Sequence, residues 1–119
     1  MLNVVIFDEN RKRRSRLKKI VLETKPEMIV TDFEALDRIL AYVGANFSEV
    51  AFINMENADG RGFFLTKKLR ELSPRTNVIA VADDYRYAQE LMKLRISGYI
   101  TGHMTKERVM EELENLRYE

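Results

Sequence analysis

Apolar and polar positions follow two rhythms along the chain, and the rhythms alternate five times. Val4 to Phe7 (VVIF) is an unbroken β-branched and aromatic run, the mark of a strand buried on both faces. Leu17, Ile20, Val21 and Thr24 then recur at helical spacing within a basic stretch that stops before Pro26. Met28 to Val30 (MIV) predicts a short second strand. Thr31 and Glu34 have capping-box spacing, and Leu36, Ile39, Leu40 and Val43 predict a helix ending at Gly44. Val50 to Asn54 (VAFIN) predicts a third buried strand. Beyond a loop with Gly60 and Gly62, Phe64, Leu65, Lys68, Leu69 and Leu72 predict a helix that Ser73-Pro74 stops. Asn77 to Ala82 predicts the fourth strand, and Tyr87 to Leu94 a helix with Ala88, Leu91, Met92 and Leu94 on its apolar face. Gly98 to Thr101 predicts a short fifth strand, and Thr105 caps a last helix carrying Val109, Leu113 and Leu116.

Strand and helix in alternation, with the strands apolar throughout, predict an α/β fold: a doubly wound, five-stranded parallel sheet with helices on both faces. Right-handed crossovers place function at the carboxyl ends of the strands. The residues to watch therefore follow each strand: Asp8, Glu9, Asn54, Ala82, Asp83, Gly102 and His103. No internal repeat or low-complexity linker interrupts the pattern, so residues 1–119 are expected to form one domain.

Composition narrows the function classes. Hydrophobic residues at 45% and charged residues at 33% suit a globular chain able to bury a core. The absence of cysteine excludes disulfides and thiolate chemistry. No apolar run approaches the roughly 20 residues of a membrane span. The start, MLNVVIFDEN, lacks the basic region of a signal peptide, so a cytoplasmic location is expected. Net charge is only +1, but its distribution is uneven. Arg11, Lys12, Arg13, Arg14, Arg16, Lys18 and Lys19 crowd one segment, while Glu107, Glu111, Glu112, Glu114 and Glu119 crowd the end. First and last helices lie side by side in such a fold, so these charges are expected to pair within the molecule or across a dimer.

From Asn54 to Leu65 the chain reads N-M-E-N-A-D-G-R-G-F-F-L, and the acidic pair Asp8-Glu9 closes the first strand with Leu17 a helical distance beyond. Together with S-G-Y-I-T and the tail E-E-L-E-N-L-R-Y, these segments resemble the response-regulator receiver family along the whole chain. The resemblance implies the flavodoxin-like (βα)5 fold with strand order 2-1-3-4-5. Family members carry D-x-x-M-P-x-x-D/N-G-x-x-L after the third strand. Anchoring on Gly62, Leu65 and Leu69-Arg70 puts Asn54 at the phosphoacceptor position, whereas anchoring on Asp59-Gly60 puts Phe52 there. Where the family has Ser or Thr after the fourth strand, this chain has Ala82; where it has Lys-Pro after the fifth, this chain has Gly102-His103.

The departures belong together chemically. Acyl phosphate formation needs a carboxylate nucleophile, a Mg²⁺ held by hard oxygens and a neutralising cation. Asn54 is a neutral amide, Ala82 offers no hydroxyl and Gly102 no ammonium. The resemblance thus implies an atypical, phosphorylation-independent receiver with no catalytic residues and no required cofactor, acting by protein contact. The acids that remain, Asp8, Glu9 and Glu56, form an expected acidic pocket, and the first two are candidate ligands for a weak Mg²⁺ or Ca²⁺ site. By resemblance, the contact face is the fourth helix, fifth strand and fifth helix, with Tyr87, Met92, Tyr99 and Met104 as candidates for a homodimer or partner interface. Receivers ending in Leu-Arg-Tyr often continue into a DNA-binding output domain, so such a fusion is also implied.

Two other functions stay open. The basic first helix is a candidate nucleic-acid footprint, although its charges ring the helix and no aromatic residue interleaves for stacking. A receiver with a non-standard phosphoacceptor is the other. A nucleotide-binding enzyme fits poorly, because Asp8-Glu9-Asn10 would repel phosphate where a glycine-rich loop is needed.

Overall fold

The computed structural model describes residues 2–57 and 59–118. Five strands, β1 (Asn3–Phe7), β2 (Ile29–Phe33), β3 (Val50–Asn54), β4 (Asn77–Ala82) and β5 (Gly98–Thr101), alternate with five helices. The helices are α1 (Arg11–Thr24), α2 (Leu36–Ala45), α3 (Arg61–Leu72), α4 (Ala88–Lys93) and α5 (Lys106–Glu114). All strand pairs are parallel, as the sequence pattern predicts, and the order is β2-β1-β3-β4-β5, as the resemblance implies.

The two-residue period of the strands divides the core into two layers. Val5, Phe7, Ala51, Ile53, Val78 and Ala80 face α2, α3 and α4, meeting Ile39, Val43, Leu65, Leu69 and Leu91. Their neighbours Val4, Ile6, Val50, Phe52, Ile79 and Val81 face α1 and α5, meeting Leu17, Ile20, Val21, Val109 and Leu113. Registers Phe7↔Ile53, Asn54↔Val81 and Ala82↔Thr101 bring the strands' carboxyl ends level, so the residues that follow them converge.

At the opposite end Asn77 ties the chain's last described segment to the sheet. Its Nδ2 donates to the carbonyls of Glu49 (3.0 Å) and Tyr118 (2.8 Å), and its Oδ1 accepts from the Tyr118 amide (2.7 Å) and Ser97 Oγ (2.8 Å).

Three local expectations are corrected. β2 runs on through Thr31, Asp32 and Phe33, paired with Val5, Ile6 and Phe7, rather than stopping at Val30. Pairing with β1 recruits these residues into the ladder, so Thr31 does not cap a helix with Glu34. α2 starts instead after Ala35, whose side chain makes no capping bond. α4 is six residues long, fewer than two turns, and buries Leu91, leaving Met92 exposed rather than on an apolar inner face. Thr105 Oγ1 caps α5 as expected, accepting from the Arg108 amide (3.2 Å), and Asn10 Oδ1 caps α1 by accepting from the Arg13 amide (2.9 Å), a cap that sequence reasoning missed.

Candidate functional site

Asp8 follows β1 and is 3% exposed. A buried carboxylate needs a cation and donors, and α1 supplies them. Arg13 grips it with both arms of the guanidinium, Nε to Oδ2 at 2.6 Å and Nη2 to Oδ1 at 2.8 Å, while the Asn10 amide donates to Oδ1 at 2.9 Å. The carboxylate raises the pKa of Arg13, chiefly through this hydrogen bond. Arg13 Nη2 also reaches Asn54 Oδ1 (3.4 Å), which accepts from the Glu56 amide (2.8 Å). Asp8, Arg13 and Asn54 therefore form one connected group across the ends of β1 and β3.

The loop from β3 to α3 is held by Asn57, whose Nδ2 donates to the Asn54 carbonyl (2.9 Å) and whose Oδ1 accepts from the Gly62 amide (3.1 Å). Gly62 is required by proximity: a Cβ there would stand 2.5 Å from the Asn54 carbonyl oxygen. The first turn of α3 thus packs directly on the residue that ends β3.

The three acids expected to share a pocket do not converge. Glu9 pairs with Arg61, which also holds Asp59. Glu56 accepts from the Asp83 amide (2.7 Å) and from Tyr87 Oη (3.2 Å). Each acid has found a separate donor, which relieves the repulsion that gathering them would cause. Within the chain, and among the described residues, no ion pair joins the charges of α1 to the glutamates of α5. Among the described residues, Arg14 (2.8 Å) and Lys18 (3.2 Å) pair instead with Asp32 of the extended β2. Glu119, counted with the acidic end, lies outside the described residues.

Beside Asp8 and Asn54 opens a cavity of about 380 Å³ between α1 and the β5–α5 loop. Phe7, Leu17, Val81, Ala82 and Met104 give it apolar walls, and Lys12, Arg16, Asp83, Gly102 and His103 border it. Gly102 has φ +69°, a left-handed turn that glycine adopts readily.

The expected interface residues split. Met92 is 66% exposed and, with Tyr85, which stacks on Tyr99 at 5.1 Å between centroids, forms an outer face. Tyr99 Oη is tied to the Asp84 carbonyl (2.8 Å). Tyr87 turns inward against Phe63 and Glu56, and Met104 packs on the core layer under α1 and α5 and lines the cavity with Leu17. Sequence reasoning missed Arg13 and Asn57. Arg13 is hidden among seven cations, and its only signal is its position one turn into a helix that begins beside Asp8.

The family described as "Response regulator receiver domain" matches residues 4–114. This chain belongs to that family. Receiver domains are signalling domains rather than typical enzymes. The chain is 25% identical over 118 residues to the sensory transduction protein LytT of Bacillus anthracis, covering 98% of this chain and 48% of that protein. It therefore spans about half the length of the curated relatives it matches. A response regulator receiver domain from Clostridium thermocellum shares the flavodoxin-like fold with a TM-score of 0.85 at 15% identity, over 97% of this chain and 93% of that one. TrrA of Thermotoga maritima, solved with Mg²⁺-BeF, superposes with a TM-score of 0.83 at 14% identity, over 96% and 97%.

Receiver domains commonly bind Mg²⁺ at the phosphorylation site. The donors here do not fit that ion as they are arranged. Both Asp8 oxygens are held by a guanidinium, Asn54 Oδ1 already accepts two N–H groups, and Glu9 and Glu56 point elsewhere. Among the described residues, no cluster of three or more His, Cys, Asp or Glu side chains is placed to hold a metal.

Proposed function

We propose that this receiver domain signals without being phosphorylated, and that Asn54 occupies the position of the missing phosphoacceptor. The observation that carries this reading is the Asp8–Arg13–Asn54 group. An amide that accepts from Arg13 and from the Glu56 amide stands at the end of β3 where a nucleophile would be needed. Arg13 provides the buried Asp8 carboxylate with a positive charge from within the chain, so neither Mg²⁺ nor Ca²⁺ is required. Ala82 and Gly102, at the ends of β4 and β5, supply neither hydroxyl nor ammonium. Residues 1–119 act as one receiver unit in the cytoplasm, alone or joined to an output domain that binds DNA. The output is protein contact through the face of α4, β5 and α5, with a second copy of the chain as the partner. Direct nucleic-acid binding by α1 is disfavoured, because Arg13, Arg14 and Lys18 are turned onto Asp8 and Asp32.

Intact-mass measurement after incubation with Mg²⁺ and a small-molecule phosphodonor tests the chemistry, with a working receiver alongside as control. The control is expected to gain one phosphoryl group and this chain none. Stoichiometric modification of this chain would refute the assignment at Asn54 and identify a receiver with a different acceptor.

A further inference from the structure

We propose that the cavity between α1 and the β5–α5 loop binds a small organic monoanion with an apolar body, such as an aryl-alkyl carboxylate. Its volume of about 380 Å³ lies within the roughly 300–1,000 Å³ of ligand pockets. Leu17, Val81 and Met104, of the layer under α1 and α5, present hydrocarbon to its interior, with Phe7 and Ala82 behind them at the strand ends, which calls for an apolar ligand body. Ala82 projects only a methyl group and Gly102 nothing, so no long side chain of either residue fills the space.

The border specifies the charge. Asp8 and Arg13 neutralise one another. Lys12 and Arg16 stand one helical turn apart, on the same side of α1, and no ion pair engages either of them among the described residues. The Arg16 guanidinium is already anchored at the mouth by donating to the Met104 carbonyl (3.1 Å). Against these two cations stands one exposed acid, Asp83. The net excess of one positive charge matches a monoanion, and Asp83 disfavours a second negative charge on the ligand. Carboxylate at the Lys12–Arg16 rim and hydrocarbon on the inner walls satisfy both halves of the cavity.

The inference rests on the proposed function only in treating the space beside Asn54 as free of phosphoryl chemistry. The mass measurement reads covalent chemistry and a titration reads occupancy, so either can fail without the other.

The test is an amide NMR titration of the whole chain with 4-phenylbutyrate, beside 4-phenylbutan-1-ol as its neutral counterpart and acetate as a carboxylate without the apolar body. Saturable shifts are expected for 4-phenylbutyrate at Ala82, Gly102, His103 and Met104. Binding should weaken about tenfold for the alcohol and for the exposed double variant Lys12→Ala/Arg16→Ala, as loss of charge-assisted hydrogen bonds implies. Acetate should give no saturable shifts there. Ala82→Leu, which fills the cavity, should abolish binding; if it does not fold, the double variant decides. Shifts scattered over the surface, equal affinity for the alcohol, saturable acetate binding or an unaffected double variant would each overturn the proposal.

Discussion

Asp32 lies between two cations of α1, and the balance there sets a measurable pH dependence. Burial pushes its pKa up, but hydrogen bonds from Arg14 and Lys18 outweigh that and hold it below an ordinary carboxylate. Folding therefore favours the ionised form. Its contribution is complete above the unfolded pKa of about 3.9 and is lost as pH falls through the lower folded value. Urea unfolding of Asp32→Asn against the parent should show a stability difference that is largest near neutrality and shrinks as pH drops below about 4. A difference that stays flat down to pH 3 would contradict the pairing. Such pairs are hard to read from a sequence, because the arginines and lysines of residues 11–19 look equivalent until α1 is set against β1 and β2. Asp8 and Asn54 were legible because strand ends mark positions; Arg13 was not, because its role depends on which way a long side chain bends.

The elements were more legible than their junctions. β3 and β4 coincide with their apolar runs because both faces are buried, so composition alone marks them, whereas β5 is an edge strand in which only Ile100 is buried. β2 is an edge strand with Ile29 exposed and polar residues at Thr31 and Asp32, so its length is set by pairing to β1 rather than by its own pattern. Two helical glycines show how differently one residue type can act. Gly44 in α2 has nothing within 4 Å of an added Cβ, so Gly44→Ala should stabilise the fold by up to about 0.5–1 kcal/mol through the unfolded chain's lost freedom. Gly62→Ala places the same methyl against the Asn54 carbonyl and Met55 Sδ, and should cost about 1–3 kcal/mol as α3 is pushed off β3. Chemical denaturation of both variants reads the opposite signs, and equal effects would refute the close approach at Gly62.

At the scale of the molecule, Tyr85 and Met92 are exposed on α4 and its flank, within the proposed contact face. Sedimentation velocity over a range of concentrations should show self-association of the parent that Met92→Glu weakens, since a carboxylate would have to be desolvated in an apolar interface. A parent that stays monomeric throughout would remove a second copy as the partner. None of the candidate chemistry lies at the other end, where Asn77 grips Tyr118 through both an amide donor and an amide acceptor. That grip has a mechanical meaning. α5 is a strut fastened near its upper end by the Arg16–Met104 bond, and below by the segment that Asn77 holds. Tension applied at Tyr118 is therefore shared between β4, the strand that also ends at the cavity, and the contacts of the Tyr118 ring and hydroxyl with Arg70 and Arg95, before it is carried up α5.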